Sequence, residues 1–223
     1  MKLNIDLYQH FSFDLWLTII KSNPDYKKKR DELLKDFFAI SQPLEELQRV
    51  VRYYDVLCNN ISEITGTHFN RSNIYLLILN KLNCKIESIN NQMLDDFCLL
   101  CDELFFQYKP ELLNPHLHFI LDEIINSGKT ANILSNTGFI HGETLRKILD
   151  YYELSNFFSF QLYSDETGFS KPNNKMFELV FDNAIKIKTI NRNEIIHIGD
   201  NPVADFEGAL NVGFQALLYR NDS

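Results

Sequence analysis

The hydrophobic and polar positions divide the chain into three regions that differ in periodicity. A short apolar run from Leu7 ends at the carboxylate Asp14 and predicts a buried strand. From about residue 20 to 110, apolar residues recur at helical spacing in four successive stretches, with no strand signal between them. Beyond Pro115, short apolar runs alternate with amphipathic stretches, which predicts parallel strands connected by helices.

This alternation predicts an α/β fold in which residues 1–19 and 111–223 form a parallel-sheet core and residues 20–110 form an inserted helical subdomain. Helices on both faces of the sheet would complete a three-layer core. The predicted helices cover residues 24–40, 43–64, 72–82, 88–108, 116–126, 143–152, 174–187 and 202–210. The predicted strands cover residues 7–14, 130–134, 157–162, 195–198 and 214–218.

The composition of the 223 residues narrows the class of protein. Hydrophobic residues make up 45% of the chain, including 18 Phe and 10 Tyr, which is ample for a packed core. The formal net charge of −8 disfavours a nucleic-acid partner. No apolar run reaches the roughly 18 residues of a membrane span, and no signal peptide is recognisable. Four cysteines without a disulfide framework favour a cytoplasmic protein with reduced thiols.

Polar residues follow four of the predicted strands at the edge where ligands bind in open α/β sheets. Alone, each signal is weak, because a single Asp after a strand more often marks a turn or a helix N-cap. Together they form one constellation of carboxylate, hydroxyl, amide and amine groups. In chain order the groups are Asp14, Ser135 with Asn136, Lys171 before Pro172, and Gly199-Asp200 followed by Asp205.

With Thr18 added to the first group, these residues resemble the four motifs of the haloacid dehalogenase superfamily, in the same order and spacing. The resemblance covers residues 3–18 and 113–219, and the segment between them resembles the helical cap that these enzymes insert after the first motif. It implies a Rossmannoid core with the active site at the strand ends, sealed by the cap. It also implies Mg²⁺ as the cofactor and a small, anionic, phosphorylated substrate.

The same resemblance implies a role for each site residue. Asp14 is expected to be the nucleophile, and a carboxylate needs no deprotonation at neutral pH. Mg²⁺ is expected to bind the carboxylates of Asp14 and Asp200 and the backbone carbonyl of Trp16. The other implied catalytic residues are Ser135, Lys171 and Asp205, the last of which holds Lys171 in place. The implied substrate contacts are Thr18, Ser135, Asn136 and Lys171.

Trp16 departs from the motif of the superfamily's phosphatases, which carry there a second Asp that protonates the leaving group and activates water. An indole does neither, and loss of a positioned acid–base group lowers the rate about 10²- to 10⁴-fold. Three interpretations stay open: a Mg²⁺-dependent phosphohydrolase, a metal-independent 2-haloacid dehalogenase, or a weakly active member that binds a ligand or a partner. Ser135-Asn136 and the aromatic Trp16 favour the dehalogenase, whereas Asp200, and Phe177 where a Tyr is expected, disfavour it.

One basic run, Lys27-Lys28-Lys29-Arg30, lies in the first predicted helix of the inserted region. A solvated helix face explains such a run most simply. The alternative is that one of these side chains, close behind the first motif, reaches an anionic substrate. The two connections of the inserted region, near Ser22 and Pro110, predict a hinge that admits substrate and then excludes water.

Overall fold

The computed structural model of the protein describes residues 4–219. Within these residues the strands are β1 (His10–Phe13), β2 (Ile20–Lys21), β3 (Glu111–Leu112), β4 (Thr130–Ser135), β5 (Phe160–Tyr163), β6 (Ile195–Gly199) and β7 (Gln215–Leu218). Five of them form one sheet in the order β5-β4-β1-β6-β7, and every neighbouring pair is parallel. The short strands β2 and β3 pair antiparallel outside this sheet.

The same residues contain α-helices that mostly follow the predicted periodicity. They are α1 (Pro24–Phe37), α2 (Leu44–Thr65), α3 (Arg71–Lys81), α4 (Asn91–Gln107), α5 (Leu117–Asn126), α6 (Gly142–Tyr151), α7 (Ser164–Thr167), α8 (Asn174–Ile187) and α9 (Gly208–Asn211). Pro24 stands in the first turn of α1, and Gly66 ends α2 in the left-handed conformation, with φ 65°. None of these helices combines the length and the apolar composition that a membrane span requires.

Hydrophobic side chains leave the sheet on both faces, and helices cover each face. Ile133 packs in a cluster with residues of α5 and α6, whereas the next residue along β4, Leu134, packs with residues of α8 and α9. Because successive strand residues point to opposite faces, these clusters lie on opposite sides of the sheet. The predicted α/β fold, a parallel sheet flanked by helices, is therefore confirmed.

Helices α1–α4 occupy the region predicted as an inserted subdomain and share a hydrophobic cluster. Tyr75 and Phe97 are buried within it, with their ring centroids 4.8 Å apart. Strands β2 and β3 join the two ends of this region, since Ile20 pairs with Leu112. The domain boundaries near residues 20 and 110 stay a prediction, and the ends of the predicted core, residues 1–3 and 220–223, lie outside the described residues.

Several local predictions about secondary structure were wrong. Strands β1 and β5 begin three residues later than predicted, because 3₁₀ turns at Ile5–Leu7 and Ser155–Phe157 occupy the start of each predicted apolar run. Apolar content alone does not distinguish such a turn from a strand. The helix predicted at 202–210 begins as a π-helical turn, Pro202–Glu207. Strands β2 and β3 were not predicted, since two residues are too few to show alternation.

The connection between α2 and α3 is hydrogen-bonded to the core. We call residues 66–68 the docking segment. The Ser170 N–H donates to the Gly66 carbonyl at 3.0 Å, and the His68 N–H donates to the Gly168 carbonyl at 3.1 Å. The docking segment therefore ties the helical region to the core loop that follows β5 and α7.

Candidate active site

Asp14 directly follows β1, the central strand of the sheet, at the carboxyl edge that β1 shares with β4 and β6. The Asp14 N–H donates to the carbonyl of Ile198 at 2.9 Å, so the strand pairing extends to this residue. Its side chain is 7% exposed, and Oδ2 accepts a hydrogen bond from the Thr18 hydroxyl at 3.3 Å. Asp14 thus lies where the ligand-binding crevice of a parallel sheet opens.

Lys171 joins two of the carboxylates predicted for the site. Its Nζ donates to Asp14 Oδ1 at 2.7 Å and to Asp205 Oδ1 at 2.5 Å, and its side chain is almost fully buried. Burial alone would lower the pKa of Lys171, but the negative charges of Asp14 and Asp205 outweigh it and raise that pKa. Lys171 therefore keeps its proton and places a fixed positive charge beside Asp14.

Asn136 holds the backbone of Lys171. The Lys171 N–H donates to Asn136 Oδ1 at 2.7 Å, and Asn136 Nδ2 donates to the Lys171 carbonyl at 2.9 Å. Both polar ends of the amide are thereby engaged, so Asn136 positions Lys171, and its predicted substrate contact stays a prediction.

Two other predicted substrate contacts lie just behind the cavity surface. Ser135 is fully buried and its hydroxyl donates to the Asn136 carbonyl at 3.1 Å, while the Thr18 hydroxyl is bonded to Asp14. Among the described residues, neither Ser135 nor Thr18 lines the cavity next to Asp14. Their roles at the substrate stay predictions, and each contacts a site residue instead.

A buried row of polar side chains, missed by reasoning from the sequence, supports Asp205. Asp205 Oδ1 lies 3.1 Å from His197 Nε2, and His197 Nδ1 lies 2.9 Å from Ser12 Oγ. Burial lowers the pKa of His197, so the ring is neutral. A carboxylate only accepts, so Nε2 carries the proton and Ser12 donates to Nδ1. One signal could have indicated this row, since Ser12 precedes Asp14 by two strand positions and lies opposite His197.

The electrostatics of the site are dominated by three carboxylates. Asp14, Asp200 and Asp205 bring ligand oxygens within 4.8 Å of one another. Burial raises the pKa of Asp14 to about 7, with Lys171 opposing the rise and both other carboxylates adding to it. Burial, and then Asp205, raises the pKa of Asp200. Burial also acts on Asp205, but Lys171 and His197 outweigh it and hold that pKa well below its usual range.

This arrangement fits a hard divalent cation. Mg²⁺ prefers oxygen ligands and is usually held by one or two carboxylates together with water and substrate. Asp14 and Asp200 meet that description at the cavity surface, and a cation there would relieve their repulsion by Asp205, which adds to the effect of burial in raising both pKa values. Trp16, whose backbone carbonyl is the third expected Mg²⁺ ligand, also lines the cavity. The role of that carbonyl stays a prediction.

The site opens into a cavity of about 350 Å³, a volume typical of small-molecule sites. The core contributes Asp14, Lys171, Asp200 and Asp205 to the cavity wall. Helices α1 and α2 contribute mostly polar side chains, namely Tyr26, Lys27, Arg30, Asp55, Asn59, Ser62 and Glu63. The half-buried indole of Trp16 also lines the cavity, 6.0 Å from the ring of Phe105 between centroids. The cavity therefore lies between the sheet edge and the helical region.

Comparison with known sequences gives a family match along most of the chain. The model of the family described as haloacid dehalogenase-like hydrolase matches residues 11–219. A protein of Schizosaccharomyces pombe that is named as an uncharacterized hydrolase is 29% identical over 86 residues. That similarity spans 38% of this chain and 36% of the yeast protein, so it covers about a third of the relative's length.

Solved structures share the fold at low sequence identity. The HAD-hydrolase YfnB of Bacillus subtilis, bound to magnesium, has a TM-score of 0.69 at 18% identity, with 96% of this chain and 90% of that chain covered. A HAD phosphatase from Thermococcus onnurineus has a TM-score of 0.65 at 18% identity, covering 96% and 87%. A 2-haloacid dehalogenase from Pseudomonas syringae has a TM-score of 0.63 at 19% identity, covering 95% and 86%.

These structural neighbours include both phosphatases and dehalogenases. They therefore establish the architecture and do not distinguish phosphate hydrolysis from carbon–halogen hydrolysis. The sequence resemblance to this superfamily rested on Asp14, Ser135, Lys171 and Asp200. The family match rests on nearly the whole length of the chain. It is long enough to establish membership, and the chain belongs to the haloacid dehalogenase-like hydrolases.

Proposed function

We propose that the protein is a Mg²⁺-dependent phosphohydrolase that acts on a small phosphorylated metabolite in the cytoplasm through an aspartyl-phosphate on Asp14. One observation carries this proposal: Lys171 lies between Asp14 and Asp205, with Asp200 alongside. Such a site offers a nucleophilic carboxylate, oxygen ligands for Mg²⁺ and a fixed positive charge for a phosphoryl group. A carbon–halogen bond offers no oxygen to coordinate Mg²⁺, so the carboxylates of Asp14 and Asp200 fit a phosphate ester better.

In the proposed reaction, a carboxylate oxygen of Asp14 attacks phosphorus, the bond to the leaving oxygen breaks, and an acyl phosphate forms on Asp14. Water then attacks that phosphorus, which releases inorganic phosphate and restores the carboxylate. Lys171 Nζ, 2.7 Å from Asp14 Oδ1, places positive charge beside the phosphoryl oxygens, and Asp205 holds it there. When bound at Asp14 and Asp200, Mg²⁺ would supply further charge neutralisation.

Trp16 decides which phosphate esters suit the site. Its indole N–H donates a hydrogen bond but neither gives up nor accepts a proton near neutral pH. The leaving group therefore needs no proton, as in acyl and aryl phosphates, or takes one from an acid of the helical region. Asp55 and Glu63 of α2 both line the cavity, and Glu63 accepts a hydrogen bond from Asn201 Nδ2 at 3.2 Å.

A hydrolysis screen tests the proposal. Acyl, aryl and alkyl phosphates and 2-haloacids are supplied with and without Mg²⁺, and release of phosphate and halide is measured. The expected result is Mg²⁺-dependent phosphate release that Asp14→Asn abolishes. Asp6→Asn makes the same chemical change at an exposed position and is the matched control. Phosphate release that survives Asp14→Asn, or no phosphate release from any ester, would overturn the proposal.

A metal-independent 2-haloacid dehalogenase is the second candidate, favoured by the aromatic surroundings of Asp14. Trp16 and Tyr26 both line the cavity, and both pack against Phe105, so part of the wall is apolar. Against it, Phe177 is fully buried against His197, with ring centroids 5.4 Å apart, and is not among the described residues that line the cavity. Halide release without Mg²⁺ would support this candidate, and no turnover of any kind would support a ligand-binding role.

We also propose that residues 20–110 act as a mobile cap over the site. The support is that α1 and α2 line the same cavity as Asp14, and that the docking segment contacts the core through main-chain hydrogen bonds. Two further connections, near Ser22 and Pro110, would serve as the hinge. Closure would exclude water while the acyl phosphate forms.

A further inference from the structure

Two buried polar side chains of α1 line the cavity and have no part in the chemistry described above. Tyr26 is 3% exposed, and within the described residues its hydroxyl has no hydrogen-bond partner. Arg30 is 6% exposed and lines the same cavity. Residues four positions apart on a helix are surface neighbours, so the phenol and the guanidinium share one face of α1.

Arg30 has donor groups left over. Its Nε and Nη2 donate to Asp31 Oδ1 at 3.0 and 2.8 Å, and its guanidinium carbon lies 4.5 Å from the ring centroid of Phe139. In the described part of the chain, Nη1 has no hydrogen-bond partner and Nη2 donates only once, which leaves three of the five N–H groups free. The expectation that the basic run is a solvated face therefore holds for Lys27 and Lys28, which are exposed, and is wrong for Arg30.

Each free group of this pair can donate a hydrogen bond, and the Arg30 N–H groups can only donate. The Tyr26 phenol stays protonated, because burial raises its pKa far above neutrality, and an arginine is always charged. A buried donor without a partner is unfavourable, and Tyr26, the residue that carries this donor, lines the cavity, so a ligand bound there is a source of the missing acceptor. Guanidinium and hydroxyl donors together match the oxygens of a carboxylate or a phosphate.

Two acids of α2 also line the cavity and could oppose an anion. Both are engaged, since Asp55 pairs with Arg52 at 3.1 Å and Glu63 accepts from Asn201 Nδ2 at 3.2 Å. Lys27, exposed at the cavity wall, adds a second positive charge to the α1 side.

We propose that Tyr26 and Arg30 form a second anion subsite, and that the substrate carries a carboxylate or a second phosphate in addition to the phosphate attacked by Asp14. This inference rests on the proposed phosphohydrolase function and names the substrate class for it. The subsite selects small bifunctional phosphate esters, since the cavity of about 350 Å³ contains both Asp14 and the Tyr26–Arg30 pair.

Three aryl phosphates with similar leaving groups test the subsite: phenyl phosphate, 3-carboxyphenyl phosphate and 1,3-phenylene bisphosphate. We expect kcat/KM for the two doubly charged probes to exceed that of phenyl phosphate at least about tenfold. Tyr26→Phe should reduce this preference about 3- to 10-fold and Arg30→Met about 10- to 100-fold, because hydrogen bonds to charged groups are involved. The readout is the ratio of kcat/KM for each doubly charged probe to that for phenyl phosphate, and the probe whose ratio falls more with Arg30→Met identifies the anion.

Tyr26→Phe is the decisive variant, because Arg30→Met also leaves Asp31 buried without its partner. It removes only a hydroxyl that has no partner within the described residues, so a purely structural Tyr26 predicts no change with any probe. Tyr53→Phe, on the exposed face of α2, is the matched control. Calorimetric titration of the three probes into Asp14→Asn protein, with and without Tyr26→Phe, measures the subsite without turnover.

The outcomes separate this inference from the function on which it rests. Equal kcat/KM for the three probes, unaffected by Tyr26→Phe, would overturn the subsite and leave the phosphohydrolase standing. Binding of the charged probes that depends on Tyr26, without turnover of any of them, would support the subsite and overturn the phosphohydrolase. Neither turnover nor binding that depends on Tyr26 would overturn both.

Discussion

Replacing Asp14 by Asn should stabilise the metal-free protein, and more strongly at pH 8 than at pH 5. Asp14 is 7% exposed and lies with Asp200 and Asp205 in a group of three carboxylates, of which Lys171 contacts two. Burial raises its pKa from the ordinary 3.8 to about 7. A shift of about 3 units corresponds to roughly 4 kcal/mol against the ionised form in the folded state. Asparagine keeps the shape of the side chain without the charge.

The sign of the pH dependence follows from the direction of the shift. Because the pKa of Asp14 is higher in the folded state, the folded protein binds the extra proton between about pH 4 and pH 7. The contribution of Asp14 to stability is therefore present below about pH 4 and lost as the pH rises through 7. The ionisation of Asp14 lowers the stability of the folded protein by roughly 2 kcal/mol at pH 5 and by about 4 kcal/mol at pH 8. The advantage of Asp14→Asn should grow by about 2–3 kcal/mol between these pH values.

Urea unfolding followed by circular dichroism, in the presence of a chelator, measures this difference. Asp6→Asn, an exposed carboxylate in the first 3₁₀ turn, should change stability little at either pH. Added Mg²⁺ should then stabilise the wild type at pH 8 by an amount that grows with its concentration, and stabilise Asp14→Asn less. A variant that is less stable than the wild type at pH 8, or an advantage that is larger at pH 5, would refute the reasoning.

Three further substitutions test other parts of the structure. Trp16→Asp should raise the turnover of alkyl phosphates by part of the roughly 10²- to 10⁴-fold that a positioned acid supplies, and it should leave the turnover of aryl phosphates nearly unchanged. A phosphate-release assay that shows no gain with alkyl phosphates would contradict the idea that the site lacks only an acid. Gly199→Ala should lower the rate of phosphate release at least about 100-fold, because an added Cβ would collide with the Asp205 carboxylate. An unchanged rate would show that the reaction does not require this position of the Asp205 carboxylate. Gly66→Ala should lower the free energy of unfolding by about 1–2 kcal/mol, because φ is 65° and the added Cβ would lie 2.8 Å from Asn173. Unchanged thermal unfolding and unchanged hydrogen exchange in the docking segment would contradict the role of this segment in holding the helical region to the core.

The fold was largely predictable because the chain alternates apolar runs and amphipathic stretches beyond residue 115. That rhythm allows few arrangements other than a parallel sheet with helices on both faces. The position of Asp14 was predictable for a related reason, since it ends an apolar run and strand ends of a parallel sheet meet at one edge. Strand boundaries were less predictable, because Ile5–Leu7 are as apolar as a strand and form a turn.

The supporting residues of the site were harder to predict because their partners come from distant parts of the chain. Ser12, His197 and Asp205 form a row only when β1 and β6 pair in the observed register. The solvated face predicted for the basic run was wrong at Arg30, although helical periodicity separates Arg30 from part of that run. At 3.6 residues per turn, Tyr26 and Arg30 share a face with the buried Leu34, whereas Lys28 points elsewhere.

Lys171 lies between the carboxylates of the candidate active site and the core loop that contacts the helical region. Its backbone is fixed by the amide of Asn136, and its amine is fixed between Asp14 and Asp205. The preceding residue, Ser170, donates its N–H to the docking segment. Movement of that segment would therefore break a main-chain hydrogen bond one residue before Lys171. An open cap would therefore leave the fixed charge less well held, and a docked cap would restore it. If residues 20–110 act as the proposed cap, its closure and the positioning of Lys171 at the proposed phosphoryl site would be coupled through Ser170.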